Sequence, residues 1–241
     1  MAQYIYGKNV VCERVRSNKP IEKVMLVKGF KDENVINLLN ENKIAFSYIN
    51  KDEADKYSSF GNHQGILAKI KTYEFASYPQ VLSKLKELES SITLILDGIE
   101  DPHNLGAIIR TADATGVDAI FVPKFGSAPL SEVVAKVSTG AIEYVPVCQV
   151  TNLNQLIEDL KQNGYWVVGA EEDNSSDYRK VDYKGKIALV VGSEGKGIAK
   201  LTLKNCDFKV KIPMEGHVNS LNASVSASII MYEILRKKSG K

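Results

Sequence analysis

Short apolar runs alternate with amphipathic stretches along this chain, and the character of the runs changes after residue 72. In the first part, Lys23 to Val27 predicts a strand, Glu33 to Asn42 a helix and Gly65 to Ile70 a second strand, which together read as a small mixed unit. The stretch Thr72-Tyr-Glu-Phe-Ala-Ser-Tyr-Pro79 breaks this pattern. An amphipathic helix follows from Val81 to Leu88, with Leu82, Leu85 and Leu88 on one face. Beyond it, Ile92 to Leu96, Ala119 to Val122, Tyr165 to Val168 and Ile187 to Val191 are apolar throughout, with helical stretches such as Leu105 to Thr115 between them. Strands without polar alternation indicate a parallel sheet covered on both faces, so the fold class is α/β. The expected division is a domain over 1–72, a linker over 73–80 and a second domain over 81–241. The last helix places Val225, Ile229, Tyr232 and Ile234 on an apolar stripe, yet its front is crowded with Asn219, Ser220, Asn222, Ser224 and Ser226. Polar side chains where a core should begin need a reason.

Composition narrows the class. With 241 residues and 44% hydrophobic content the chain can bury a sizeable core. Its longest apolar runs are strand-sized and its N-terminus has no apolar signal region, which leads to the expectation of a cytoplasmic protein without a membrane span. Cys12, Cys148 and Cys206 are widely spaced and outside any CxxC pattern, and His63, His103 and His217 are isolated, so neither a disulfide framework nor a metal site is expected. A net charge of +2 permits nucleic-acid binding without indicating it. Local clusters matter more: Lys8, Arg14, Arg16 and Lys19 near the start, and Arg236, Lys237, Lys238 and Lys241 at the end. Either cluster also reads as solvated surface.

Ligands bind open parallel sheets at the carboxyl ends of the strands, which directs attention to the turns after the apolar runs. Three stand out: Leu96 to Arg110, Val191 to Gly197, and Lys211 to Ser224 with the helix that follows. Gly192 and Gly197 have the spacing of a Walker loop, but the next residues are Ile198 and Ala199, where that motif requires Lys and Ser or Thr. A dinucleotide fingerprint is absent too, because no GxGxxG follows the first strand of the alternating region. What remains is a glycine turn that lets backbone approach a ligand closely, with Glu194 inside it. Asn104 reads as a helix N-cap or as a site residue, and Arg110 as a surface residue or as a site residue.

Taken together, Asp101-Pro-His-Asn-Leu-Gly-Ala-Ile-Ile-Arg110, Val191-Gly-Ser-Glu-Gly-Lys-Gly-Ile198, and Ile212-Pro-Met with Ser220-Leu-Asn-Ala-Ser224 closely resemble the three motifs of the SpoU branch of the SPOUT RNA 2′-O-methyltransferases. Lys136 to Pro146 is similar to a further family segment. In the first part, Ile5 to Glu13 and His63 to Ala68 resemble the RNA-binding domain of members that modify ribosomal RNA, especially the large-subunit guanosine enzymes.

The resemblance implies a parallel-sheet SPOUT domain with a deep C-terminal trefoil knot, preceded by a small mixed α/β RNA-binding domain. It implies S-adenosylmethionine held mainly by main-chain groups at Gly192, Ile212 and Leu221, with Gly197 and Met214 beside them. It further implies a homodimer whose two chains build the site. Arg110 is the residue to which the family assigns activation of the ribose hydroxyl, as a base or by stabilising the developing alkoxide, and Asn104, Glu194, Ser220 and Asn222 take orienting roles. The implied substrate is a guanosine of 23S ribosomal RNA. A transfer-RNA guanosine, a ribosomal adenosine, or a non-catalytic role in ribosome assembly are the alternatives. Tyr4 and Tyr6 beside Lys8 and Arg14 are candidate RNA contacts, with core packing the expected fate of at least one tyrosine.

Overall fold

The computed structural model describes residues 2–172, 175–218 and 220–240; Asn219 and Lys241, named above, lie outside the described residues. The chain divides into two compact units, Met1–Glu74 with Leu130–Tyr144, and Phe75–Pro129 with Val145–Lys241.

In the first unit the strands β1 (Ala2–Tyr6), β2 (Lys23–Val27), β3 (Phe46–Ile49) and β4 (Ile66–Lys71) form a sheet in the order β1-β4-β2-β3. β4 runs antiparallel to both neighbours while β2 and β3 are parallel, so the sheet has mixed strand directions, which the sequence pattern leaves open. Three helices accompany it: α1 (Lys8–Arg16), α2 (Glu33–Glu41) and α3 (Lys51–Tyr57). Val10, Val11 and Val15 of α1 are buried, as are Val24, Leu26, Ile66 and Ile70 of the strands.

The expected boundary between domains leaves out one excursion. Residues 130–144 belong to the first unit, where Glu143 is buried and accepts from Arg14 Nη1 at 3.1 Å and from the Tyr73 hydroxyl at 2.9 Å. Lys136 of the same segment donates to the Asn62 carbonyl at 2.8 Å. Tyr73 and Glu74 likewise lie in the first unit, and the helix placed at Val81 begins at Tyr78.

The second unit follows the expected alternation. Its elements are α4 (Tyr78–Glu87), β5 (Ser91–Asp97), α5 (Pro102–Ala114) and β6 (Ala119–Pro123). The chain then visits the first unit for α6 (Glu132–Val137). It returns as β7 (Val147–Val150), α7 (Leu153–Gln162), β8 (Tyr165–Ala170), β9 (Ser176–Asp177) and β10 (Lys186–Gly192), and ends with α8 (Lys200–Lys204), β11 (Phe208–Lys211) and α9 (Ala223–Lys238). The seven strands are ordered β7-β6-β5-β10-β8-β11-β9, and every pairing is parallel. On one face Ile95, Phe121, Val167 and Val190 pack with Leu85 of α4 and Leu156, Ile157 and Leu160 of α7. Strand pleating sends their neighbours Leu94, Leu96, Leu189 and Val191 to the opposite face, and all four are buried. That face carries α9, which contacts β10 and packs against α5, where Thr111 and Ser228 hydroxyls meet at 3.0 Å.

The stripe expected on α9 is overturned in part. The buried side is Ala223, Ala227, Ile230, Met231 and Ile234, leaving Val225 45% and Tyr232 53% exposed. Small residues at 223 and 227 let the helix lie close to its neighbours, so of the expected stripe only Ile234 is buried, Ile229 is half-buried, and Val225 and Tyr232 turn outward.

Candidate active site

The first of the three turns follows β5. Asp101 caps α5, its carboxylate accepting from the His103 amide at 2.8 Å. Asn104 is therefore not the N-cap. It stands in the first turn of the helix, where its side chain is free to point across to the second motif. Asn104 Nδ2 donates to Glu194 Oε1 at 3.0 Å.

The second turn is a closed loop. Ser193 and Gly197 exchange backbone hydrogen bonds of 3.2 and 2.9 Å, bringing the ends of a five-residue loop together. A Cβ on Gly192 would come within 2.1 Å of the Gly197 carbonyl carbon, so this closure needs glycine at 192. The exit of the loop is tied to β5, where Asp97 accepts from the Ala199 amide at 2.9 Å.

The third turn ends at Asn222, which is the N-cap of α9. Its Oδ1 accepts from the amides of Ser224 at 3.0 Å and Val225 at 3.3 Å. Its Nδ2 donates to Asn104 Oδ1 at 2.9 Å and also to Glu194 Oε1. One side chain thus caps a helix with its oxygen and ties two other turns together with its nitrogen. Glu194 sits at the same helix end, where the dipole favours a carboxylate. Part of the polar front of α9 has its reason here: Asn222 closes the junction of three turns, and Ser224 Oγ donates to Asn222 Oδ1 at 2.6 Å.

Beside this cluster lies a cleft of about 600 Å³ at the carboxyl ends of β8, β10 and β11. Gly192, Gly197, Ile212, Met214 and Leu221 all line it, as do Glu194, Ser220 and Asn222. Ile212, Met214 and Leu221 are half-buried and form apolar wall, while Ser220 is exposed at the edge. The volume falls within the range of sites for cofactor-sized ligands. Backbone of the glycine turn, apolar wall and a few converging polar groups suit a nucleoside with a charged tail.

Arg110 is not brought to the cleft within one chain. It is exposed on α5, and its side chain makes no hydrogen bond or ion pair among the described residues. Two contributors escaped the sequence reading. Asp97 pins the loop exit, and Glu171 follows β8 directly and lines the cleft. Both carry the same weak signal, an acid at the end of an apolar strand.

The candidate RNA contacts of the first unit are largely committed elsewhere. Tyr4 stacks on Tyr57 with centroids 4.4 Å apart, and both Tyr4 and Tyr6 pack against a core cluster. Arg14 is buried against Glu143, Lys8 pairs with Asp32 at 2.6 Å, and Arg16 pairs with Glu13 at 2.5 Å. At the other end, Arg236 pairs with Glu233, and Lys238 donates to the carbonyls of Ser91 and Gly185, where burial lowers its pKa. Among the described residues, most of the charges in either cluster are paired or buried.

A parallel α/β sheet with a cleft at its carboxyl edge and a three-turn polar cluster at the cleft rim is a ligand-binding site of the open-sheet kind. The chain belongs to the SpoU rRNA methylase family, whose sequence profile matches residues 91–232, and residues 4–76 match the profile for RNA 2′-O ribose methyltransferase substrate binding. It is 48% identical over 238 residues, 97% of this chain and 96% of the relative, to a protein of Staphylococcus aureus (strain COL) described as a TrmH family tRNA/rRNA methyltransferase. Among solved structures, the SpoU methyltransferase AviRb from Streptomyces viridochromogenes, crystallised with AdoMet, superposes with a TM-score of 0.84 at 20% identity, covering 100% of this chain and 92% of that one. The A. aeolicus TrmH/SpoU tRNA modifying enzyme superposes with a TM-score of 0.58 at 30% identity, covering 67% of this chain and 84% of that one.

Proposed function

We propose that this protein methylates the 2′-oxygen of a ribose in RNA in the cytoplasm, with S-adenosylmethionine as donor and a guanosine of 23S ribosomal RNA as target. The observation that carries the reading is the meeting of Asn104, Glu194 and Asn222 at the rim of the cleft. When bound, S-adenosylmethionine supplies a methyl group already activated by its sulfonium, so positioning is the main task left to the protein. Gly192 and Gly197 present backbone to the ligand, Ile212, Met214 and Leu221 supply the apolar wall, and Ser220 with the three-residue cluster orients the polar end.

The ribose hydroxyl must lose its proton as it attacks. A guanidinium stays protonated at any physiological pH, so Arg110 is assigned the role of a fixed positive charge that stabilises the developing alkoxide. Its place away from the cleft of its own chain supports a homodimer in which the partner supplies it. So do exposed Val225 and Tyr232 with half-buried Ile229 beside them, an apolar helix face of the kind subunit interfaces cover. The family's trefoil knot belongs to the same reading; β10 inserted between β5 and β8, with the cleft where the 193–197 and 212–222 segments meet, supports it.

Ribosomal over transfer RNA is favoured by the N-terminal unit, which carries its own substrate-binding profile. On that unit Phe60, Lys28 and Lys31 are among the exposed groups open to RNA. The test is methyl transfer from labelled S-adenosylmethionine to unmodified 23S ribosomal RNA and to unmodified transfer RNA, followed by mapping of ribose-methylated positions. Label on a 23S guanosine 2′-oxygen is the expected result. Label on transfer RNA alone moves the substrate, and label on neither ends the reading.

A further inference from the structure

The turn after β6 is not accounted for by the cleft. It carries Lys124 and Phe125, and Phe125 is 83% exposed, the most exposed large hydrophobic side chain among the described residues. A phenyl ring gains about 1.5–3 kcal/mol by leaving water, so a slack loop would fold it inward. This loop is not slack. The Lys124 amide donates to the Val150 carbonyl at 2.8 Å, the amide of buried Ala128 donates to the Ile99 carbonyl at 2.9 Å, and Ser127 Oγ donates to the Pro123 carbonyl at 2.7 Å. The backbone is braced by β7 on one side and by the first motif's turn on the other, and Phe125 is held out into solvent.

We propose that Lys124 and Phe125 grip the RNA substrate next to the reacting nucleotide, Phe125 stacking on an unpaired base and Lys124 meeting a backbone phosphate. The proposal rests on the methyltransferase reading and adds a substrate contact to it. Position supports it: β6 neighbours β5 and β5 neighbours β10, so the turn lies two strand spacings, roughly 10 Å, from the 193–197 loop on the same sheet edge. The intervening turn links the two, since a Cβ at Gly98 would touch Ser193 Cβ at 3.3 Å. Chemistry supports it as well. Lys124 Nζ lies 5.9 Å from the Phe125 ring centroid, holding positive charge over one face and leaving the other for a base. Glu100 lies on the Gly126 side of the turn, so a phosphate is admitted on the Lys124 side. Stacking on a ring accepts any base, which suits a group that holds RNA in place and does not read its sequence.

The test uses the full chain with unmodified 23S ribosomal RNA and unmodified transfer RNA as probes. Phe125→Ala should raise KM for the RNA that is methylated by about tenfold, in the range expected for losing one base–aromatic stack. The rate at saturating RNA and the calorimetric affinity for S-adenosylmethionine should hold. Phe125→Tyr should restore KM, and Lys124→Ala should raise it while flattening its salt dependence. An unchanged KM in Phe125→Ala overturns the proposal. So does rescue by Leu as complete as rescue by Tyr, which indicates a plain apolar contact, or a change of assembly state in gel filtration with RNA affinity retained. If the wild type transfers no methyl group the enzyme reading falls by itself, and the grip is then decided by RNA affinity measured with fluorescence anisotropy on the same variants.

Discussion

Glu194 Oε1 gathers the side-chain amides of Asn104 and Asn222, with the Ala223 amide further out at 3.4 Å. Asn222 is the hinge of this arrangement because it serves stability through Oδ1 and the site through Nδ2. Asn222→Ser separates the two roles. Serine is as good an N-cap as asparagine, so chemical denaturation should place its stability within about 0.5 kcal/mol of wild type. It has no amide to bridge Asn104 and Glu194, and methyl transfer should fall about tenfold or more, as expected for losing a charge-assisted hydrogen bond. Normal turnover would show that the bridge is incidental. Glu194 and Asn222 are visible in the sequence as polar residues at glycine turns and helix starts. Asp97 is not, because a single carboxylate at a strand end has no period or spacing to distinguish it.

At the level of elements, the strands of the second unit are readable because a buried parallel strand is apolar at every position, which no surface element imitates. The outward face of α9 is misread for a related reason: alanine counts little in an apolar pattern, yet Ala223 and Ala227 define the buried side. The glycine turn can be tested as an element. Gly192→Ala forces a methyl group into the Gly197 backbone, so the loop must open and the cleft must deform. Calorimetry should detect no S-adenosylmethionine uptake by this variant, whereas Gly216→Ala, whose added methyl meets nothing within 4 Å, should bind as wild type. The 130–144 excursion was hidden because its local pattern specifies a helix and not the unit it joins. Its anchor is the Arg14–Glu143 pair, with Lys19 3.4 Å from the same carboxylate. Burial, and then the nearby Glu143 charge, raise the Tyr73 pKa, so the phenol stays a donor to it. Glu143→Gln should cost about 3 kcal/mol in urea unfolding, since a buried guanidinium loses its counter-charge. A loss below about 1 kcal/mol would assign the anchoring to apolar contacts instead.

For the whole molecule, the decisive question is where Arg110 acts. In one chain the cleft collects eight of the ten candidate residues, Asn104 reaches its rim through Glu194, and Arg110 points to solvent. A two-fold dimer that covers the outward face of α9 would also bring each chain's α5 against its partner, because α5 and α9 pack together. A site built in that way needs Asn222 from one chain and Arg110 from the other. Arg110→Ala and Asn222→Ala should each abolish methyl transfer as homodimers, with Arg110→Ala retaining calorimetric affinity for S-adenosylmethionine. Co-expressed and purified through two different tags, the mixed dimer carries one site with both residues intact and should recover part of the wild-type rate. If Arg110 acted on the cleft of its own chain, each site of the mixed dimer would carry one lesion and no activity would return. Tyr232→Glu supplies the independent check: a charge on the outward stripe should convert the protein to monomers in gel filtration and remove activity while the fold, followed by circular dichroism, persists.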